Sequence, residues 1–165
     1  MRCGSSSPRP NTTVAIAHCG RKMRDHKLDV LIVPGGPSHW SFGGGMLWLT
    51  GHWEWHALSS YVLVPLEDEP TLIYSMGGTH AEAVRRQVEV AVKDVRHSRN
   101  GRYADIMVER IRELNLERGS IGLMEIDPRH SDYLPVNQYN VLRENLPDAK
   151  LGIHSRPFAR VAFHP

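Results

Sequence analysis

Two histidines bracket a carboxylate in the run His52-Trp53-Glu54-Trp55-His56, and here the residue types could do chemistry. Imidazole and carboxylate both ligate zinc. In a strand, the alternate spacing of His52, Glu54 and His56 points all three to one face, whereas in a helix His52 and His56 share one. Zinc motifs draw a further ligand from elsewhere in the chain, and His39 is the nearby candidate. The same region offers a second chemistry. Between Trp40 and His56 lie all four tryptophans, Trp48, Trp53 and Trp55 among them, beside Gly43-Gly44-Gly45. Large rigid aromatic surface next to chain-breaking glycines suits contact with a ligand or a partner. A metal site, a contacting loop and ordinary surface packing are the three readings of these residues.

Other chemistries find less support. Gly35-Gly36 and Gly43-Gly44-Gly45 match neither the Gly-x-Gly-x-x-Gly turn nor the Walker loop with its Lys and Ser/Thr, so they read as flexible connectors rather than a phosphate cradle. Glu67, Asp68 and Glu69 crowd a solvated turn. Glu109, Glu113 and Glu117 alternate with arginines on the outer face of a helix. Glu125 and Asp127 lie beyond the carboxyl end of a strand, where α/β proteins bind ligands, although a structural loop there needs no such role. There is no Gly-x-Ser-x-Gly elbow, and neither Cys3 nor Cys19 has a histidine setting for nucleophilic catalysis.

The elements that must hold these residues follow from pattern. At 165 residues, with 41% apolar and 23% charged content, the chain is of a size to form one domain with a core of its own. A net charge of +2 without a basic block does not point to nucleic acid, and no run approaches the roughly 20 apolar residues of a membrane helix. Two isolated cysteines and the lack of an apolar leader suggest a reducing, cytoplasmic setting. Residues 1–12, rich in Ser and Pro, read as a disordered tail ahead of a domain at 13–165.

Within that domain, Ile16, Cys19 and Met23 form the buried stripe of a helix over Val14 to His26. Asp29 to Val33 is a continuous β-branched run, which marks a strand buried on both faces. Ser60 to Pro65 and Thr71 to Tyr74 are joined by a short polar connector and predict an antiparallel hairpin. Thr79 caps a helix over His80 to Gln87, and Val88 to Val95 alternates like a half-buried strand. Tyr103 to Asn115 is an amphipathic helix with Asn115 as a left-handed terminator. Ser120 to Met124 is a strand, Pro135 to Leu146 a helix, and Lys150 to Ile153 a last strand. This order predicts an α/β protein with a mixed sheet and helices on its faces.

The helix leading into Leu28-Asp29-Val30-Leu31-Ile32-Val33, then Trp48-Leu49-Thr50-Gly51, then the hairpin with Glu69-Pro70-Thr71-Leu72-Ile73 resembles the N-terminal domain of the creatinase, prolidase and aminopeptidase P family. The likeness continues through Val92-Lys93-Asp94-Val95, the Ala104-Asp105 helix ending Arg112-Glu113-Leu114, Gly119-Ser120-Ile121-Gly122-Leu123 and Leu146-Pro147-Asp148-Ala149, and so spans about Val14 to Val161. Three departures mark this chain. Trp48 stands where the family commonly has Tyr, the Trp40 to Gly45 stretch is longer, and Lys27 replaces a common helix-ending Gly.

The resemblance implies a ribonuclease-H-like topology and a domain that precedes a pita-bread metallohydrolase domain. The divalent metals, or the metal-free creatine-hydrolysing site, belong to that second domain, which is absent here. It implies no catalytic residue, metal or cofactor in this chain itself. Its partners would be the catalytic domain of the parent chain and a second copy in a homodimer. Trp48, His52, Trp53, Glu54, Trp55 and His56 would approach a peptide or small amine or amide substrate. Creatinase-like, dipeptidase-like and lyase-like parents all stay open, as does a stand-alone module that binds a small ligand or protein through its tryptophans.

Overall fold

The computed structural model describes residues 12–35, 44–52, 58–88, 92–124 and 134–154. Helix α1 (Thr12–Asp25) leads into strand β1 (Val30–Gly35), and helix α2 (Gly44–Thr50) precedes strands β2 (Ser60–Pro65) and β3 (Thr71–Tyr74). Helix α3 (Thr79–Val88), strand β4 (Asp94–His97), helix α4 (Tyr103–Glu113), strand β5 (Ser120–Met124), helix α5 (Val136–Asn145) and strand β6 (Lys150–His154) complete the order.

One six-stranded sheet runs β4-β3-β2-β1-β5-β6. Strands β1, β2 and β3 are antiparallel neighbours, whereas β5 runs parallel to β1, β6 to β5 and β4 to β3. The stretch β3-β2-β1-β5-β6 is the ribonuclease-H-like arrangement, with β4 added at one edge.

Alternation along the strands explains why both faces are covered. Leu31, Val33, Val62, Val64, Leu72 and Tyr74 face a core shared with Ala15, Cys19 and Met23 of α1, Met46 and Leu49 of α2, and Val84 and Val88 of α3. Val30, Ile32, Tyr61, Leu63 and Ile73 face the opposite core, with Met107 and Ile111 of α4 and Leu142 of α5. Every residue of β1, β2 and β3 is buried, as the unbroken apolar runs require of strands with helices on both sides. No helix among the described residues is long and apolar enough to cross a membrane.

Two helices end alike. After α1, the Leu28 amide donates to the Met23 carbonyl at 2.9 Å and the Lys27 amide to Arg24 at 3.1 Å, with Lys27 left-handed at φ 54°. After α4, Leu116 donates to Ile111 at 3.0 Å and Asn115 to Arg112 at 3.0 Å, with Asn115 at φ 57°. Both are Schellman closures, and each feeds a strand at the sheet's parallel seam. Asn115 fits the position readily, whereas Lys27 occupies it without glycine's freedom.

Two expectations change. The strand predicted from Val88 is shorter and later. Val88 ends α3, the Val92 amide donates to the Val88 carbonyl at 2.9 Å, and Val84, Val88 and Val92 enter the core at helical spacing. Apolar residues at 88 and 92 satisfy a period of two as well as one of four, and packing selects the latter. The second change is that Gly44 and Gly45 open α2 rather than extend a connector, because Met46 and Leu49 give the segment a buried face.

Candidate functional site

Helix α2 carries Trp48 and delivers the chain to the His52–His56 run, and three local features fix its position. A Cβ at Gly35 would lie 2.6 Å from the Met46 sulfur, so the end of β1 needs a residue without a side chain for α2 to seat against it. Leu49 is buried in the core beneath. At the end of the helix, the Thr50 hydroxyl donates to the Met46 carbonyl at 2.8 Å and accepts the His52 amide at 3.0 Å. Gly51 then turns the chain at φ 71°, its amide bonded to the Leu47 carbonyl at 2.8 Å. Leu49-Thr50-Gly51 is thus an anchor, a hydroxyl clip and a left-handed stop, which together set the direction in which the chain leaves the helix.

The side chains around this stop are aromatic. Trp48 is half-buried on the core, and its ring meets the edge of His18 from α1, with centres 6.2 Å apart and planes at 73°. Burial, with Arg21 and Lys22 adding to it, holds His18 below its ordinary imidazole value. His52 is buried, and its ring stands edge-on to Tyr74 of β3 at 5.5 Å and 87°. Sequence reasoning missed His18 and Tyr74, because both reach the site only through the packing of α1 and β3.

Trp48 and His52 thus meet different ring neighbours, His18 and Tyr74. Trp53, Glu54, Trp55 and His56 lie outside the described residues, as do Trp40, His39, Glu125 and Asp127. Among the described residues, no three His, Cys, Asp or Glu side chains converge as metal ligands. Cys19 is buried in the core, which pushes its thiol up to about 12 and removes its thiolate character at neutral pH.

The carboxylates read as solvated are exposed, and each also has a basic partner. Asp68 meets Arg110 at 3.3 Å, Glu69 meets Lys93 at 2.8 Å and Glu67 meets Arg24 at 3.3 Å. Glu113 takes both arms of Arg96 at 2.8 and 2.6 Å. Asp94 accepts from Arg96 and from the buried Thr71 hydroxyl, which in turn accepts from Arg110 at 3.1 Å. This network joins β3 and β4 to α4.

What the corner can do chemically is offer aromatic surface on a rigid mount. A family model described as the creatinase/prolidase N-terminal domain matches residues 16–161. No curated protein matches the chain by sequence. Among solved structures, the fold is similar to the N-terminal domain of the cytoplasmic peptidase PepQ from Mycobacterium tuberculosis, with TM-score 0.61, 16% identity, and coverage of 90% of this chain and 98% of that one. It is also similar to the Xaa-Pro aminopeptidase (aminopeptidase P) of Streptococcus thermophilus, with TM-score 0.64, 14% identity and coverage of 93% and 98%. A proline dipeptidase from Streptococcus pneumoniae gives TM-score 0.55, 17% identity and coverage of 84% and 89%. With a six-stranded mixed sheet of this topology and a family match over residues 16–161, the chain belongs to the creatinase/prolidase N-terminal domain family.

Proposed function

We propose that this domain is the non-catalytic partner of a creatinase- or Xaa-Pro-peptidase-like catalytic domain, and that it contributes to a homodimer and gates the substrate cleft in the cytoplasm. The observation that carries the reading is the stop at Thr50 and Gly51. It fixes the root of the segment holding Trp53, Glu54, Trp55 and His56, while the rest of α2 is held by the core. A rooted aromatic segment covers a cleft at low entropic cost, and Glu54 would complement a cationic group such as a peptide amino terminus. Divalent metal and the groups that cleave substrate would reside in the catalytic domain.

The purified chain is therefore expected to show no turnover of Xaa-Pro dipeptides or tripeptides, with or without added Mn²⁺. When it is joined to a catalytic domain, replacing Trp53 and Trp55 with Ala should raise KM more than it lowers kcat. Turnover by the chain alone that vanishes in the H52A variant would overturn the reading. The size of the native product, probed with an antibody raised against this chain, distinguishes a two-domain hydrolase from a module that acts alone.

A further inference from the structure

Away from the aromatic corner, the carboxyl end of α1 meets the last strand. His26 follows α1, and its amide donates to the Lys22 carbonyl at 3.1 Å, so its imidazole is carried at the negative end of the helix dipole. His154 closes β6, an edge strand. Gly152 of β6 and Gly122 of β5 are paired in register. A Cβ at Gly152 would stand 3.1 Å from His154 Nε2, and one at Gly122 would stand 3.2 Å from His154 Cδ2. The paired glycines form a bed on which the His154 ring lies. The rings of His26 and His154 meet with centres 5.7 Å apart and planes at 65°.

Two imidazoles that share one ion at about 2.0–2.1 Å per nitrogen have ring centres roughly 5 Å apart at a tetrahedral angle. The observed separation of 5.7 Å is close to that value. We propose that His26 and His154 form a two-histidine site for a borderline divalent ion such as Zn²⁺, Ni²⁺ or Cu²⁺, with water in the remaining positions, and that the bound ion fastens edge strand β6 to the end of α1. Imidazole suits these ions, whereas Mg²⁺ and Ca²⁺ take oxygen ligands. Among the described residues no third His, Cys, Asp or Glu joins the pair. It is independent of the aromatic segment and of the proposed gating role.

Thermal unfolding of the full chain with ZnCl₂ or NiCl₂ tests the site. The midpoint should rise by about 2–4 °C with either ion and not with MgCl₂. Both H26Q and H154Q should lose the rise. The chain has ten histidines, so the variants decide. A rise retained in both variants, or no rise in the unaltered chain at millimolar ion, overturns the site. If H154Q fails to fold, substoichiometric Cu²⁺ gives a second measurement. It should broaden the His154 imidazole NMR signals in the unaltered chain and leave them sharp in H26Q, and equal broadening in both overturns the proposal.

Discussion

Lys27 and Thr50 show how single residues govern where helices stop. At φ 54°, Lys27 holds a left-handed conformation that costs an L-residue about 1 kcal/mol, a strain glycine does not feel. Lys27→Gly should therefore stabilise the domain by about 0.5–1 kcal/mol, read as a higher urea midpoint at unchanged slope. Thr50 works in the opposite sense. Its buried hydroxyl serves two backbone groups at once, so Thr50→Val leaves both to find other partners and should cost about 1–2 kcal/mol. Thr50→Ser, which keeps the hydroxyl, should recover most of that loss. Neither role is visible from composition. Lys27 stood out only as a departure from the family's glycine, and the Thr50 clip needs a helix that the glycines ahead of it argue against.

Among the elements, the strands were the most legible in the sequence and α2 the least. Asp29 to Val33 announces burial on both faces through its continuous β-branched run, Ser60 to Pro65 and Thr71 to Tyr74 announce an antiparallel hairpin, and the sheet contains both. Helix α2 is seven residues long, opens on two glycines and draws its stability from Gly35, Met46 and Leu49 against the core, a tertiary cause with no local signature. The edge strand β4 was similarly obscured, because its pairing to β3 is reinforced by side chains from α4. Arg110 is the hub there, reaching Thr71, Asp68 and Glu113 with only 14% of its side chain exposed. Arg110→Ala should cost about 2 kcal/mol, by leaving carboxylates that α4 no longer neutralises, and hydrogen exchange should quicken first in β4. The candidate site was legible to the same partial degree. The sequence singled out Trp48 and His52, but their neighbours His18 and Tyr74 come from α1 and β3, brought there by the sheet.

For the molecule as a whole, acid acts in two stages. His18 and His154 are both held below the ordinary imidazole value of 6.5, so the unfolded chain takes up protons that the folded chain resists. Stability is full above that value and declines as the pH falls below it, until the folded-state values are passed. Glu113 is held down first by Arg96 and also by Arg110, so it adds stability above its ordinary value of 4.5 that is lost as the pH falls through its folded-state value. Urea midpoints measured from pH 8 to pH 3 should thus fall in two steps. H18Q should flatten the upper one and R96Q the lower one. The seam between β1 and β5 carries a further consequence, concerning the time course of synthesis. The Asp29 carboxylate accepts the Ser120 amide at 2.7 Å across 91 positions of sequence, whereas β1, β2 and β3 need nothing beyond Tyr74 to pair. On a ribosome adding about 5–20 residues per second, the antiparallel half is complete seconds before β5 emerges. Closing so long a loop is the slow event. Until it happens, the apolar edge of β1 is an open template, and this edge is where a nascent chain most needs a chaperone.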